Sequence, residues 1–160
     1  MTIESVILDD DSRGTLPPYV EADREQAVAD LAAANRFTVF GRDGKKTEGP
    51  YVLHLTISEG RLVFDIRTRE DTPLIAIGLA LGPFRGLVKD YQMLVDSHIK
   101  AVEEGREARI HAIDMGRRGL HDEGAKLITS RLAGKIDIDF DTARRLFTLV
   151  CVLAQRMSAR

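Results

Sequence analysis

The segment from Phe140 to Ala154 constrains the fold most strongly, because it is apolar on nearly every side when it is read as a helix. A helix that is hydrophobic all round has to be covered by other elements of the same domain. Asp139 or Asp141 stands at its start, where an aspartate side chain can accept hydrogen bonds from the free N–H groups of the first turn. We therefore expect this helix to lie at the centre of the core.

A β-hairpin is the clearest element of the first half of the chain. From Tyr51 onward, apolar and polar residues alternate, which is the pattern of a half-buried strand. If Glu59 and Gly60 form a two-residue turn, the apolar residues of both strands fall on one face. The pairs are then Leu53 with Ile66, Leu55 with Phe64, and Ile57 with Leu62. Turn and register agree, so we predict a hairpin from Tyr51 to Arg67.

The remaining elements follow from hydrophobic periodicity and from glycine and proline positions. They are a strand at Ile3–Leu8, a loop at Asp9–Gly14, a helix with the stripe Ala27, Leu31, Ala34 and Phe37, a strand or buried helix at Leu74–Leu81, and helices at Phe84–Val102 and about Glu107–Leu132. We interpret Leu74–Leu81 as a strand. The predicted fold is α+β, with a small antiparallel sheet from the N-terminal half packed against three to four helices.

The composition is that of one compact domain. Of 160 residues, 44% are hydrophobic and 30% charged, so residues 1–160 can bury a core of their own. The formal net charge of −2 provides no general attraction to nucleic acid or to an anionic membrane, and no apolar stretch is long enough to cross one. A single cysteine and an N-terminus without a signal-peptide pattern indicate a cytoplasmic location.

The densest chemistry lies between Asp114 and Gly124, where three glycines accompany two arginines, a histidine and three carboxylates. On a helix, Gly116, Leu120 and Gly124 stand four residues apart and share one face. Bare backbone on that face admits either another helix of the same fold or a ligand. A structural homodimer formed through the stripe of Ile113, Gly116, Leu120 and Gly124 is a further alternative.

Four arginines and one histidine are the candidate ligand-binding residues: Arg117, Arg118, His121, Arg144 and Arg145. Two arginine pairs beside a glycine-rich approach are suited to hold a phosphate or carboxylate group through bidentate hydrogen bonds. An internal ion network is the simpler interpretation, because nearby carboxylates can satisfy the same guanidinium groups. The available carboxylates are Asp114, Asp122, Glu123, Asp137, Asp139 and Asp141.

Three other polar residues have structural interpretations. His54 is expected opposite Asp65 in the hairpin, as an ordinary cross-strand pair on the outer face. His98 lies on the apolar stripe of its helix and is interpreted as a core histidine with a satisfied hydrogen bond. Cys151 falls within the apolar last helix and is interpreted as an inert core thiol.

No ligand set for a metal or a cofactor is apparent in the sequence. The two-histidine helical spacing of hydrolytic zinc sites is absent, and the acidic run Asp9–Asp11 lacks the spacing of a calcium loop. Neither glycine cluster follows a strand as a nucleotide-binding loop requires. We therefore predict no metal, no cofactor and no catalytic residue.

Several segments together carry a family likeness. They are Gly82–Arg85 with Val88–Tyr91, Gly116–Gly124, Gly134–Leu149, Gly49–Tyr51 and Leu62–Ile66, so the likeness covers nearly the whole chain. These segments resemble the uncharacterised protein family 0262, a small bacterial family. The resemblance implies no activity, cofactor or catalytic residue for any of these positions.

The sequence favours a non-enzymatic binding or regulatory module, because a complete catalytic set cannot be assembled from it. Such a module would contact a partner protein or an anionic small molecule through the arginine and histidine residues. The alternatives are a structural homodimer, and a hydrolase or transferase that acts on a phosphorylated or anionic substrate with His121 as its acid–base group. That enzyme would need a concave pocket holding His121 and at least two of the arginines.

Overall fold

The computed structural model describes residues 2–8 and 16–158, and within them it shows the predicted α+β fold. The elements are β1 (Ile3–Leu8), α1 (Pro18–Ala33), β2 (Phe37–Val39), β3 (Tyr51–Ser58), β4 (Arg61–Arg67), β5 (Pro73–Ala80), α2 (Arg85–Glu103), α3 (Glu107–Leu132), β6 (Ile136–Ile138) and α4 (Phe140–Ser158). A single 3₁₀ turn, Gly82–Phe84, leads into α2. The loop predicted at Asp9–Gly14 lies outside the described residues. None of the described helices is both long enough and apolar enough to span a bilayer.

The main sheet has four strands in the order β1-β3-β4-β5. Strands β3, β4 and β5 are antiparallel, as predicted, whereas β1 runs parallel to β3 and makes the sheet mixed. The parallel pair has a simple cause. Helix α1 lies between β1 and β3 in the chain, and a helical crossover returns the chain to the end of the sheet from which it started.

The hairpin has the predicted register. Leu53 pairs with Ile66, Leu55 with Phe64, and Ile57 with Leu62. Glu59 and Gly60 both have positive φ angles, 51° and 75°, as a two-residue turn that matches the twist of a hairpin requires. Strand β5 pairs with β4, which confirms the strand interpretation of Leu74–Leu81.

A second, two-stranded antiparallel sheet of β2 and β6 was not predicted. The sequence interpretation placed Phe37 on the stripe of the first helix, but α1 ends at Ala33 and Phe37 begins β2. Asn35 explains the break: its amide donates to Leu31 O at 2.7 Å, and it both donates to and accepts from the backbone of Ile3. The side chain thus closes the end of α1 and fastens it to β1.

Helix α4 lies at the centre of the core, as its composition predicted. Its residues from Leu146 to Ala154 are all buried, and it packs against both α1 and α3. Asp139 provides the cap, since its Oδ1 accepts from the N–H of Thr142 at 2.9 Å. Arg144 and Arg145 stand half-buried on the side of α4 that meets α1 and α3.

The glycine stripe of α3 is covered from within the chain at Gly124. A Cβ at Gly124 would stand 2.3 Å from two ring carbons of Phe147 on α4, so only glycine allows this approach. A Cβ at Gly116 would make an ordinary contact of 3.7 Å with Leu94 on α2. At its Gly124 end the stripe therefore admits another helix of the same fold, and Phe147 already covers the surface that a homodimer through Gly124 would use.

Candidate functional site

Two adjoining cavities open beside α3 and α4. The α1–α4 cavity, of about 220 Å³, is lined by Asp23, Gln26, Ala27, Asp30, Arg117, His121, Asp141, Arg144, Arg145 and Thr148. The arginine cavity, of about 340 Å³, is lined by Asp114, Arg117, Arg118, His121 and Arg144. Arg117, His121 and Arg144 form the wall between them. Every candidate ligand-binding residue thus lines at least one of the two cavities.

A buried carboxylate, Asp23 on α1, holds the base of the site together. Its side chain accepts a hydrogen bond from the Tyr91 hydroxyl at 2.7 Å and forms an ion pair with Arg117 at 2.8 Å. Burial raises the pKa of Tyr91 and the Asp23 charge raises it further, so this hydroxyl keeps its proton and remains the donor. Asp23 therefore joins three helices, because Tyr91 lies on α2 and Arg117 on α3.

Arg117 is the most constrained of the arginines. Besides its pair with Asp23, it donates to the hydroxyl of Tyr19 at 3.2 Å, and its guanidinium carbon lies 5.5 Å from the centre of that ring. Burial lowers the pKa of Arg117, but the Asp23 charge and the contact with Tyr19 together raise it by more, so the side chain stays charged. Arg117 thus serves the scaffold as well as the cavity wall.

His121 is 4% exposed and packs edge-on against Phe147, with ring centres 5.5 Å apart. Its Nδ1 lies 2.8 Å from Arg117 O, and its Nε2 is buried without a hydrogen-bond partner among the described residues. Burial lowers the pKa of His121 below its ordinary value, and the charges of Arg117 and Arg144 act in the same direction against the smaller effect of the Arg117 carbonyl. The ring is therefore neutral at neutral pH.

The arginines of α4 find partners other than the acidic residues at its start. Arg144 forms an ion pair with Asp122 on α3, and Arg145 lies 3.8 Å from Asp30 on α1. Asp139 is engaged as the cap of α4, and Asp137 lies 3.5 Å from Arg36. The internal ion network that the sequence suggested is therefore present in part, through Asp122.

The two cavities differ in charge. The α1–α4 cavity has three arginines and three aspartates in its lining, whereas the arginine cavity has three arginines and a single aspartate, Asp114. Partial burial lowers the pKa of Arg144, and the charges of Arg117, Arg118 and Arg145 lower it further even though Asp122 holds it. The lining of the arginine cavity therefore has more arginines than carboxylates, and two of these arginines, Arg117 and Arg144, are paired with Asp23 and Asp122 behind it.

Arg118 differs from the other three arginines. It is exposed, and among the described residues its guanidinium group has neither an ion pair nor a hydrogen bond. An exposed arginine at the edge of a cavity can turn toward an anion without breaking an ion pair. Arg118 is therefore the side chain best placed to bind a ligand at no cost to the scaffold.

The other polar candidates lie away from the cavities. His54 stands opposite Asp65 as predicted, but Asp65 forms its ion pair with Arg67 at 2.9 Å, and His54 lies 3.8 Å from Asp71. His98 is half-buried rather than in the core, with its ring 4.2 Å from that of Tyr19.

Among the described residues, neither the single cysteine nor a cluster of acidic side chains forms a further candidate site. Cys151 is fully buried, which raises the pKa of its thiol. Within residues 2–8 and 16–158, no three histidine, cysteine or acidic side chains come together as a metal site would require.

Comparison with known proteins identifies the family. The model of the uncharacterised protein family UPF0262 matches residues 1–156. The chain belongs to this family. A UPF0262 protein of Granulibacter bethesdensis is 62% identical over 156 residues, which cover 95% of this chain and 89% of that protein. A UPF0262 protein of Acidiphilium cryptum is 57% identical over 154 residues, covering 96% of this chain and 93% of the relative. No solved structure matches the chain.

Three residues of this UPF0262 site were not indicated by the sequence: Asp23, Tyr91 and Tyr19. In the sequence, Asp23 is one of several charged residues that precede the stripe beginning at Ala27, and Tyr91 is one of the apolar residues of the predicted helix Phe84–Val102. In the structure Asp23 is a buried residue of α1, beyond its first turn, and Tyr91 is buried in α2. Their contact joins positions that are 68 residues apart, and no local pattern reports it.

Proposed function

We propose that this UPF0262 chain is a non-enzymatic binding module that holds a small anionic ligand in the arginine cavity. The observation that carries the proposal is the composition of that cavity, in which three arginines and a buried histidine surround about 340 Å³ with one carboxylate in the lining. Guanidinium groups in fixed positions bind phosphate and carboxylate oxygens in pairs. Arg117 is held in place by Asp23 and Tyr19, so part of the site is in position before a ligand arrives.

Internal pairing does not remove this capacity. Arg117 is committed to Asp23, and Arg144 is held by Asp122, but each side chain keeps about a third of its surface exposed. A guanidinium group has five N–H donors, and one carboxylate uses at most two of them in a bidentate pair. An anion in the cavity can therefore take the remaining donors of both residues together with those of Arg118.

The alternative of a hydrolase or transferase would need a nucleophile or an activated water beside His121. The Thr148 hydroxyl donates to Arg144 O at 3.2 Å, and the buried Cys151 thiol has a raised pKa. Neither group is prepared for attack on a substrate. We therefore favour binding over catalysis.

The test is a titration of wild-type protein and two variants with phosphate in buffer of low ionic strength, in which NMR chemical shifts report the binding. Arg118→Gln removes an arginine from the cavity without breaking an ion pair among the described residues, and we expect it to weaken binding by roughly fivefold or more. Arg109→Gln removes an exposed arginine from another turn of α3 and should leave the affinity unchanged. Equal affinities for all three proteins, or no saturable binding by wild type, would overturn the proposal.

A further inference from the structure

The hydrogen bond of His121 determines its tautomer. A backbone carbonyl only accepts hydrogen bonds, so the 2.8 Å contact between Nδ1 and Arg117 O requires a proton on Nδ1. Because the ring is neutral, Nε2 then carries a lone pair and no proton. Nε2 is therefore an acceptor.

That acceptor lacks a donor. Nε2 is buried and has no partner among the described residues. The ring of Tyr91 has its centre 6.2 Å from that of His121, but its hydroxyl donates its proton to Asp23. A buried acceptor without a donor is costly, and such a group in a cavity wall is satisfied when a ligand brings a proton to it.

We infer that the site selects a protonated oxyanion, hydrogen phosphate, over a fully deprotonated one such as sulfate, because His121 Nε2 accepts the P–OH proton of the ligand. The inference rests on the proposed function, since it requires an anion in the arginine cavity. It adds the chemical class of that anion. The arginines bind the deprotonated oxygens, and His121 binds the oxygen that carries the proton.

The discrimination has a direct physical cause. Phosphate and sulfate have nearly the same size and shape, but inorganic phosphate keeps at least one proton at neutral pH while sulfate has none. A sulfate oxygen would place its lone pair against that of Nε2, and both would lose their hydrogen bonds to water. Asp114, the carboxylate of the cavity lining, is a second acceptor and acts in the same direction.

The ligand reaches Nε2 only when a flexible side chain of the lining moves, because this atom is covered in the present arrangement. Arg144 is near enough for its charge to lower the pKa of His121, and its side chain is 29% exposed. Its guanidinium group is the one we expect to turn toward the bound anion. Arg117 is held by Asp23 and Tyr19 and stays in place.

The experiment compares phosphate and sulfate by calorimetry at about pH 7.5 and low ionic strength. We expect wild-type protein to bind phosphate at least about tenfold more tightly than sulfate. His121→Phe keeps an aromatic ring against Phe147 but removes the acceptor, so the ratio of the two affinities should fall close to one. His111→Phe, on an exposed turn of the same helix, is the matched control and should keep the wild-type ratio.

A third anion, methyl phosphate, shows whether the site binds free phosphate or a phosphomonoester. Methyl phosphate has lost its last proton at about pH 7.5, because the second pKa of phosphomonoesters is about 6. It should therefore bind as weakly as sulfate at that pH. Equal binding of methyl phosphate and inorganic phosphate at this pH would contradict the role of the P–OH proton.

The outcomes distinguish the inference from the proposed function. If wild type binds phosphate and sulfate equally, the inference is wrong and the anion site stands. If it binds neither, both are wrong. If His121→Phe still prefers phosphate over sulfate, the selectivity comes from residues other than His121 and the inference is wrong. Should that variant fail to fold, ¹⁵N NMR of wild type decides: the Nε2 signal of His121 must shift with phosphate and stay unchanged with sulfate, and any other result overturns the inference.

Discussion

Replacing Gly124 with alanine tests the helix contact that supports the site. The added methyl group would lie 2.3 to 2.5 Å from three ring carbons of Phe147, whereas ordinary contacts begin at 3.4 Å. The ring has to retreat by about an ångström, and it is fully buried between α4 and α3. Overpacking of this kind costs roughly 1–3 kcal/mol, and three overlapping atoms in a fully buried ring place Gly124→Ala at the upper end.

Helix propensity opposes this loss, because alanine is more favourable than glycine in a helix by about 1 kcal/mol. We expect a net destabilisation of about 2 kcal/mol for Gly124→Ala. Gly119→Ala on the same helix meets no atom within 4 Å and should stabilise the protein by about 1 kcal/mol. Gly116→Ala meets Leu94 at an ordinary 3.7 Å and should also stabilise it.

Urea denaturation followed by far-UV circular dichroism measures all three variants on one scale. A second measurement isolates the clash. In a Phe147→Leu background the smaller side chain leaves room for the methyl group, so the cost of Gly124→Ala should fall by more than about 1 kcal/mol. The reasoning is refuted if Gly124→Ala is as stable as Gly119→Ala, or if its cost is unchanged without the phenylalanine ring.

Two further predictions concern charge. The pKa of His121 is lower in the folded protein than its ordinary value of 6.5, and above pH 6.5 this difference has no effect on stability. As the pH falls below 6.5, His121 binds a proton in the unfolded chain but not in the folded protein. The free energy of unfolding therefore declines by at most about 1.4 kcal/mol per pH unit. Urea denaturation at about pH 7.5 and about pH 5.5 should show a smaller decline in His121→Phe than in wild type or in His111→Gln. Asp23→Asn should cost about 2 kcal/mol, less than a fully buried pair, because the Arg117 side chain that loses its partner is 32% exposed. Asp30→Asn on the same helix, which removes an exposed carboxylate 3.8 Å from its arginine, should change the urea midpoint little, and equal effects of the two substitutions would contradict the argument.

The elements that sequence reasoning located correctly are those in which a local pattern and a turn agree. The hairpin register was predictable because alternation on both strands and the Glu59–Gly60 turn specify the same pairs. A close neighbour at Gly124 was predictable, because a stripe without side chains on a helix allows another group to approach the backbone. Which group that would be was left open. Strands β2 and β6 have three residues each, which is too short for periodicity to appear.

The candidate site was predictable to the extent that it follows helical spacing. Arg117 and His121 are four residues apart on α3, and the structure brings both into the cavity wall with Arg144. The carboxylates that pair with the arginines were not predictable, because the choice between Asp122 and Asp139 depends on how α3 crosses α4. The contacts of Asp23 were not predictable for the same reason, because its partners depend on the packing of three helices.

We expect the junction at Asp23 to couple the three helices as they come together during folding. When α1 docks, the carboxylate loses its water, and it regains hydrogen bonds only if Tyr91 and Arg117 are already in position. A partly assembled state with α1 docked and either partner missing would bury an uncompensated charge, which costs several kcal/mol. Docking of α1 is therefore coupled to the pairing of α2 with α3. In hydrogen exchange, the buried amides of these three helices should open together as one cooperative unit rather than helix by helix.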